Sequence, residues 1–147
     1  MAIIVNNNKR GIMAEKLFDM VVSIMKRCQM TEEKIRNEFA LSTAEYNGLM
    51  AMIPGERIMC NALSKRMELS PSRGSRVIER LVRKGYVRSE VPDDRRSLEL
   101  SLTNTGSQMR QRIEGKLQEC EERMLATLSR SEQDLVRQGL TLLTAVF

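Results

Sequence analysis

Apolar residues at Met13, Leu17, Met20, Val21, Ile24 and Cys28 recur mostly at intervals of three and four, the spacing of one face of a helix of about four and a half turns. Thr31 followed by Glu32 and Glu33 has the composition of a capped start, which predicts a separate short helix carrying Ile35 and Phe39. Ser42-Thr43-Ala44-Glu45 places a hydroxyl at an N-cap and a carboxylate three residues on, the arrangement of a capping box. It predicts a helix with Tyr46, Leu49, Met50 and Ile53 inward, stopped by Pro54-Gly55. A further helix is expected from Met59 to Leu69, with Leu63 and Met67 on its inner side.

The next segment changes character twice. Ser70-Pro71-Ser72 opens a helix with a serine cap and a proline in the first turn, where a missing amide donor costs nothing. Val77, Ile78, Leu81 and Val82 form its inner stripe, while Arg73, Arg76, Arg80 and Arg83 repeat on the other side. Gly85 marks the stop. Tyr86 to Val91 has strand composition, Pro92-Asp93-Asp94 breaks it, and Leu98, Leu100 and Leu102 alternate as a half-buried return strand. Helix, helix, strand, charged turn and strand make a winged helix-turn-helix, with Arg95 and Arg96 on the wing.

Thr103-Asn104-Thr105-Gly106 starts the longest helix, whose apolar positions Met109, Ile113, Leu117, Cys120, Met124 and Leu128 step by three or four. That stripe is longer than so small a core needs, so something else is expected to cover it. A last helix carries Leu135, Val136, Leu140, Leu143 and Val146. The expected fold is therefore mostly α with a small β-hairpin (α+β), one domain over 1–147. Its DNA-binding lobe spans 42–102, and residues 12–40 and 103–147 form a helical dimerisation region shared with a second copy.

Charge sharpens this layout. From Lys65 through Arg96 there are ten Lys or Arg against five Asp or Glu, a net of +5 that equals the net of the whole 147-residue chain. The excess positive charge is thus confined to one module, a local footprint of the kind that meets phosphate. Two Tyr, three Phe and no Trp argue against single-strand recognition by base stacking. Without histidine the chain lacks the usual neutral-pH general base and the commonest metal ligand. No glycine-rich phosphate loop appears, so no enzyme, cofactor or metal site is expected.

Cys28, Cys60 and Cys120 are odd in number and widely spaced, which suggests neither a disulfide framework nor a zinc motif. Cys28 follows Lys26-Arg27, whose charges favour a thiolate, but burial of all three as small hydrophobes is the expected use. The eleven methionines are read as core filler rather than an effector pocket. The N-terminal apolar run is too short for a signal-peptide core and no run approaches a membrane span, so the cytoplasm is the expected location.

The residues resemble the MarR family of bacterial transcriptional regulators. Its wing signature, Asp-x-Arg, five residues, then Leu-Thr, is met by Asp94, Arg96, Leu102 and Thr103, with the common glycine at Gly106. The Leu-x-x-x-Gly-aromatic-Val end of its recognition helix is met by Leu81, Gly85, Tyr86 and Val87. The likeness is specific from about Ser42 to Gly106, and the terminal helices match in position and periodicity only. Where the family often has Thr-Val-Thr/Ser-Arg, this chain has Arg73-Gly74-Ser75-Arg76. The resemblance implies a homodimer on a pseudo-palindromic duplex and a small ligand, bound between the DNA-binding lobes and the dimer region, that weakens DNA binding.

On physical grounds Arg73 and Arg76 are expected at guanine edges in the major groove, where a guanidinium donates two parallel hydrogen bonds. Arg80 shares their cationic face. Ser70, Ser72 and Ser75 suit phosphate oxygens, Arg95 and Arg96 suit a narrow minor groove, and Asp94 suits the task of holding an arginine. The competing readings are a winged-helix module for RNA or protein interaction, and a thiol-based redox-sensing regulator acting through Cys28.

Overall fold

The computed structural model describes residues 16–91 and 98–146. Six helices and three short strands follow in the order α1 (Leu17–Glu38), α2 (Thr43–Ala51), β1 (Ile58–Met59), α3 (Cys60–Arg66), α4 (Pro71–Arg83), β2 (Val87–Glu90), β3 (Glu99–Leu102), α5 (Asn104–Leu125) and α6 (Arg130–Val146). The fold is thus mostly helical with a small antiparallel sheet. Packing divides the chain into two units, one ending at Lys34 and one beginning at Ile35.

α1 runs through the point where two helices were predicted. No glycine or proline interrupts residues 17 to 38, and Thr31 is not a cap: its Oγ1 donates back to the Arg27 carbonyl at 3.1 Å. The helix ends at Ala40, in the left-handed region at φ 52°, where the Leu41 amide returns to the Arg36 carbonyl at 2.9 Å.

The local signals around α2 and α4 hold in detail. Ser42 Oγ accepts from the Glu45 amide at 3.2 Å while Glu45 Oε2 accepts from the Ser42 amide at 3.0 Å, a complete capping box. Ser70 Oγ caps α4 by accepting from the Arg73 amide, with Pro71 as its first residue. α4 closes on Gly85, φ 76°, with Gly85 N–H to Val82 O at 2.9 Å and Tyr86 N–H to Leu81 O at 3.0 Å. That two-bond closure needs a left-handed residue after the cap, which glycine supplies without a Cβ penalty.

The core lies between α2, α3, α4, the sheet and the first half of α5. Leu49, Leu63, Leu81, Leu100 and Ile113 are at most 1% exposed. Some inward assignments need correction. Met52, not Ile53, turns into the core, because α2 ends at Ala51 and the extended residue that follows reverses the helical phase. Val82 and Leu98 are partly exposed, flanking a cleft of about 470 Å³ between α4 and the sheet. β1 was not anticipated: Ile58 and Met59, at and just before the start of the helix expected from Met59 to Leu69, pair instead with β3, Ile58 opposite Leu100. The sheet order is therefore β1-β3-β2, with the last strand in the middle.

Thr103 joins the module to α5. Its Oγ1 donates to the Gly85 carbonyl at 2.6 Å and accepts from the Gly106 amide at 3.0 Å, capping α5 while tying it to the end of α4. Gly106 lies flush on Tyr86: a Cβ there would sit 2.0 Å from the Tyr86 carbonyl oxygen. Further along, Met109 and Leu117 pack on the core beside Ile113, but Met124 is exposed. α6 buries no residue, and Leu135, Leu140, Leu142 and Val146 are exposed along it. In α1, Leu17, Phe18, Ile24, Met25 and Met30 are likewise exposed.

Candidate nucleic-acid interface

α4 carries the candidate site. Val77, Ile78 and Leu81 bury one side, and Arg73, Arg76, Arg80 and Arg83 stand exposed on the other. Thirteen residues make a rod of about 20 Å, and a helix diameter of about 10–12 Å fits a major groove about 12 Å wide. Gly74 sets how closely α4 meets α3, since a Cβ there would fall 1.9 Å from Ser64 Oγ. The departure Arg73-Gly74-Ser75-Arg76 therefore has a packing cause at its second residue.

The cations of this region are not equivalent. Arg66 is bound in bidentate fashion to Glu56 at 2.7 and 2.9 Å and also donates to the Ala51 carbonyl at 2.9 Å. Lys84 reaches the Glu45 carboxylate at 2.7 Å and the Ala40 carbonyl at 3.0 Å. Arg88 lies 3.6 Å from Glu90. By contrast, among the described residues Arg73, Arg76, Arg80 and Arg83 have no carboxylate within ion-pair distance. A sequence count treats all these cations alike, whereas the structure leaves this one face with charges free to meet an anion.

The serines separate as well. Ser70 Oγ is occupied by the α4 cap and lies 3.3 Å from Ser72 Oγ. Ser72 is exposed in the first turn. Ser75 is half-buried, donates to the Pro71 carbonyl at 2.9 Å, and sits 4.0 Å from Cys60 Sγ beside the cleft. Asp94, Arg95 and Arg96 lie outside the described residues. Of the cysteines, Cys28 is exposed rather than buried as expected, because α1 buries only Ile35, while Cys60 and Cys120 are half-buried.

Two supports of the site were missed from sequence. Glu45, 6% exposed, links the start of α2 to the end of α4 through Lys84. Burial pushes its pKa up, but the Lys84 hydrogen bond, the Ser42 amide and the charges of Lys84 and Arg80 outweigh this and hold it below the ordinary 4.5. The second support is at the other end of α2, where carbonyls lack helical partners. Arg110 Nη1 donates to the Met50 carbonyl at 3.0 Å and to that of Met52, joining Arg66 at this terminus. Both residues have local partners, Ser42 for Glu45 and Glu114 for Arg110, so the sequence carried no signal for their distant ones.

No group of His, Cys, Asp and Glu among the described residues is placed to hold a metal ion. None of the described helices is long and apolar enough to cross a membrane.

The sequence profile of the MarR family matches residues 42–97. Two mycobacterial HTH-type transcriptional regulators, from Mycobacterium bovis and Mycobacterium tuberculosis, are each 34% identical over 108 residues, covering 73% of this chain and 70% of theirs. A MarR family protein from Bacillus stearothermophilus shares the fold with a TM-score of 0.78 at 17% identity, over 88% of this chain and 91% of that one. MepR, transcription regulator of the Staphylococcus aureus multidrug efflux pump MepA, gives 0.73 at 21% identity, over 89% and 96%. MarR from Escherichia coli in its apo form gives 0.69 at 18% identity, over 88% and 97%.

Proposed function

The chain belongs to the MarR family of transcriptional regulators, and from that premise we propose that it is a cytoplasmic homodimeric repressor released from its operator by a small-molecule effector. Two copies of α4 enter successive major grooves of a pseudo-palindromic duplex about one helical turn apart. Arg73 and Arg76 address base edges. Arg80 lies on the same DNA-facing side, and Ser72, with Ser70 and Ser75 beside it, addresses the backbone. Arg95 and Arg96 address the minor groove from the wing, with Asp94 orienting an arginine. The observation that carries this reading is the unpaired arginine face of α4, set among neighbouring cations that are engaged within the protein.

The dimer follows from the helices at the two ends. The exposed apolar residues of α1 and of α6 are too many for a monomer surface, and a second copy covers them in this reading. The effector acts if it binds the free arrangement of the lobes better than the DNA-bound one, since only differential affinity shifts the equilibrium.

Selection of sites from a random duplex pool near physiological salt tests the proposal, with the Arg73→Ala/Arg76→Ala protein in parallel. A two-fold-related motif recovered by the wild type and lost by the variant supports it. Absence of any motif from a folded wild-type dimer, or equal binding of single strands, overturns it.

A further inference from the structure

α5 meets the DNA-binding module at two polar points of different character. At its first turn Thr103 bonds both Gly85 and Gly106, and Gly106 rests on the Tyr86 carbonyl without room for a methyl group. This contact is compact and localised, so it can serve as a pivot. Two turns on, Arg110 spans from α5 to the carbonyls of Met50 and Met52 at the end of α2. Its Nε is held by Glu114 at 2.9 Å, which aims the fork, and its side chain is 17% exposed. Among the described residues no other side chain of α5 hydrogen-bonds α2, α3 or α4. The remaining contacts with α2, α3 and α4 are apolar, through Met109, Ile113 and Leu117, while Lys116 and Arg112 reach Glu38 and Phe39 beside the end of α1 rather than the module. Apolar contact has no preferred direction, whereas a planar guanidinium bound to two carbonyls does.

We propose that Arg110 fixes the angle at which α5 leaves the DNA-binding module and thereby sets the half-site spacing that the paired modules accept, an inference that rests on the dimeric reading above. The lever can be sized. Arg110 lies about 10 Å along the helix from Thr103, and Leu125 about 33 Å, at 1.5 Å per residue. A shift of about 1 Å at Arg110 becomes about 3 Å at the far end of α5, close to the rise of one base pair in a duplex that repeats every ~34 Å. Loss of the brace therefore blurs spacing by about one base pair while leaving the recognition face intact.

Arg66 provides the internal control. It binds the neighbouring Ala51 carbonyl, but from α3, inside the module, so it caps α2 without touching α5. Arg66→Met is expected to lower stability and preserve spacing.

The test measures binding of the full chain to the selected motif with its centre lengthened or shortened one base pair at a time, alongside binding to an isolated half-site. The wild type is expected to favour one spacing by about tenfold or more, and Arg110→Leu by less than about threefold, with half-site affinity retained. Arg110→Lys keeps one donor and is expected to fall between them, which keeps the test open should the leucine variant fold poorly. Wild-type spacing preference in folded Arg110→Leu, or in both variants, overturns this inference alone. A wild type without two-fold half-sites overturns the dimeric reading and this inference with it.

Discussion

Gly74 on α4 and Ser64 on α3 meet at a crossing with no space for a methyl group, since a Cβ at residue 74 would lie 1.9 Å from Ser64 Oγ and 2.5 Å from Ser64 Cβ. Two effects compete in Gly74→Ala: a gain of about 1 kcal/mol in helix propensity and an overpacking cost of about 1–3 kcal/mol. Ser64 is 1% exposed and bonded to the Cys60 carbonyl at 2.9 Å, so it cannot swing aside cheaply. Overpacking is expected at the upper part of that range, and urea unfolding is expected to show a net loss of up to about 2 kcal/mol, part of it recovered by adding Ser64→Gly. An alanine variant as stable as the wild type would contradict the crossing.

The Glu45–Lys84 link makes an acid-sensitive contribution. The Glu45 pKa is lowered in the folded chain, so its stabilisation is complete above the unfolded value near 4.5 and is lost as pH falls through the folded pKa. Glu45→Gln is expected to cost about 1–3 kcal/mol at neutral pH. The gap between the two proteins should narrow as unfolding is repeated at pH values below 4.5. A gap that stays constant to low pH would show that the carboxylate charge is not what matters.

Ser70 and Ser72 differ by two positions and by role. Ser70→Ala removes the α4 cap and is expected to cost about 1 kcal/mol, whereas Ser72→Ala stays within about 0.5 kcal/mol. Ser70→Asp restores the cap but places a negative charge at the end of α4 that the proposed docking turns toward DNA, so it should recover thermal stability and weaken duplex binding. Unchanged binding by the aspartate variant would remove Ser70 from the interface.

The exposed apolar side of α6 offers a test of assembly. Leu135 is 69% exposed and Leu142 70%, so replacing both with Glu removes no core packing. Sedimentation is expected to show a dimer for the wild type and a monomer for Leu135→Glu/Leu142→Glu with the same helical content. A variant that remains a dimer would place the shared surface elsewhere.

What could be read from sequence was encoded within about four residues of itself. The Ser42–Glu45 box, the Ser70-Pro71 start, the Gly85 stop and the Thr103 cap each depend on neighbours along the chain. The cationic face of α4 was legible for the same reason. What escaped depends on partners far away in sequence: β1 exists because Ile58 meets Leu100, and Arg110 matters because α2 ends beside it. Thr31 misled because Thr-Glu-Glu resembles a cap, although a threonine can equally bond the carbonyl four residues back. The effector's chemistry has no comparable local signature.

Leu100 lies in β3, the last strand to be synthesised and the middle one of the sheet, with β1 and β2 both pairing to it. α4 therefore emerges from the ribosome before the strand that completes its floor, and the arginine that closes α2 comes later still. A nascent chain reaching only as far as Gly85 carries the charges of a DNA-binding protein on an unfinished scaffold, with Ile78 and Leu81 awaiting cover. The core beneath α4 is thus completed late in synthesis, once α5 through Ile113 is free to dock.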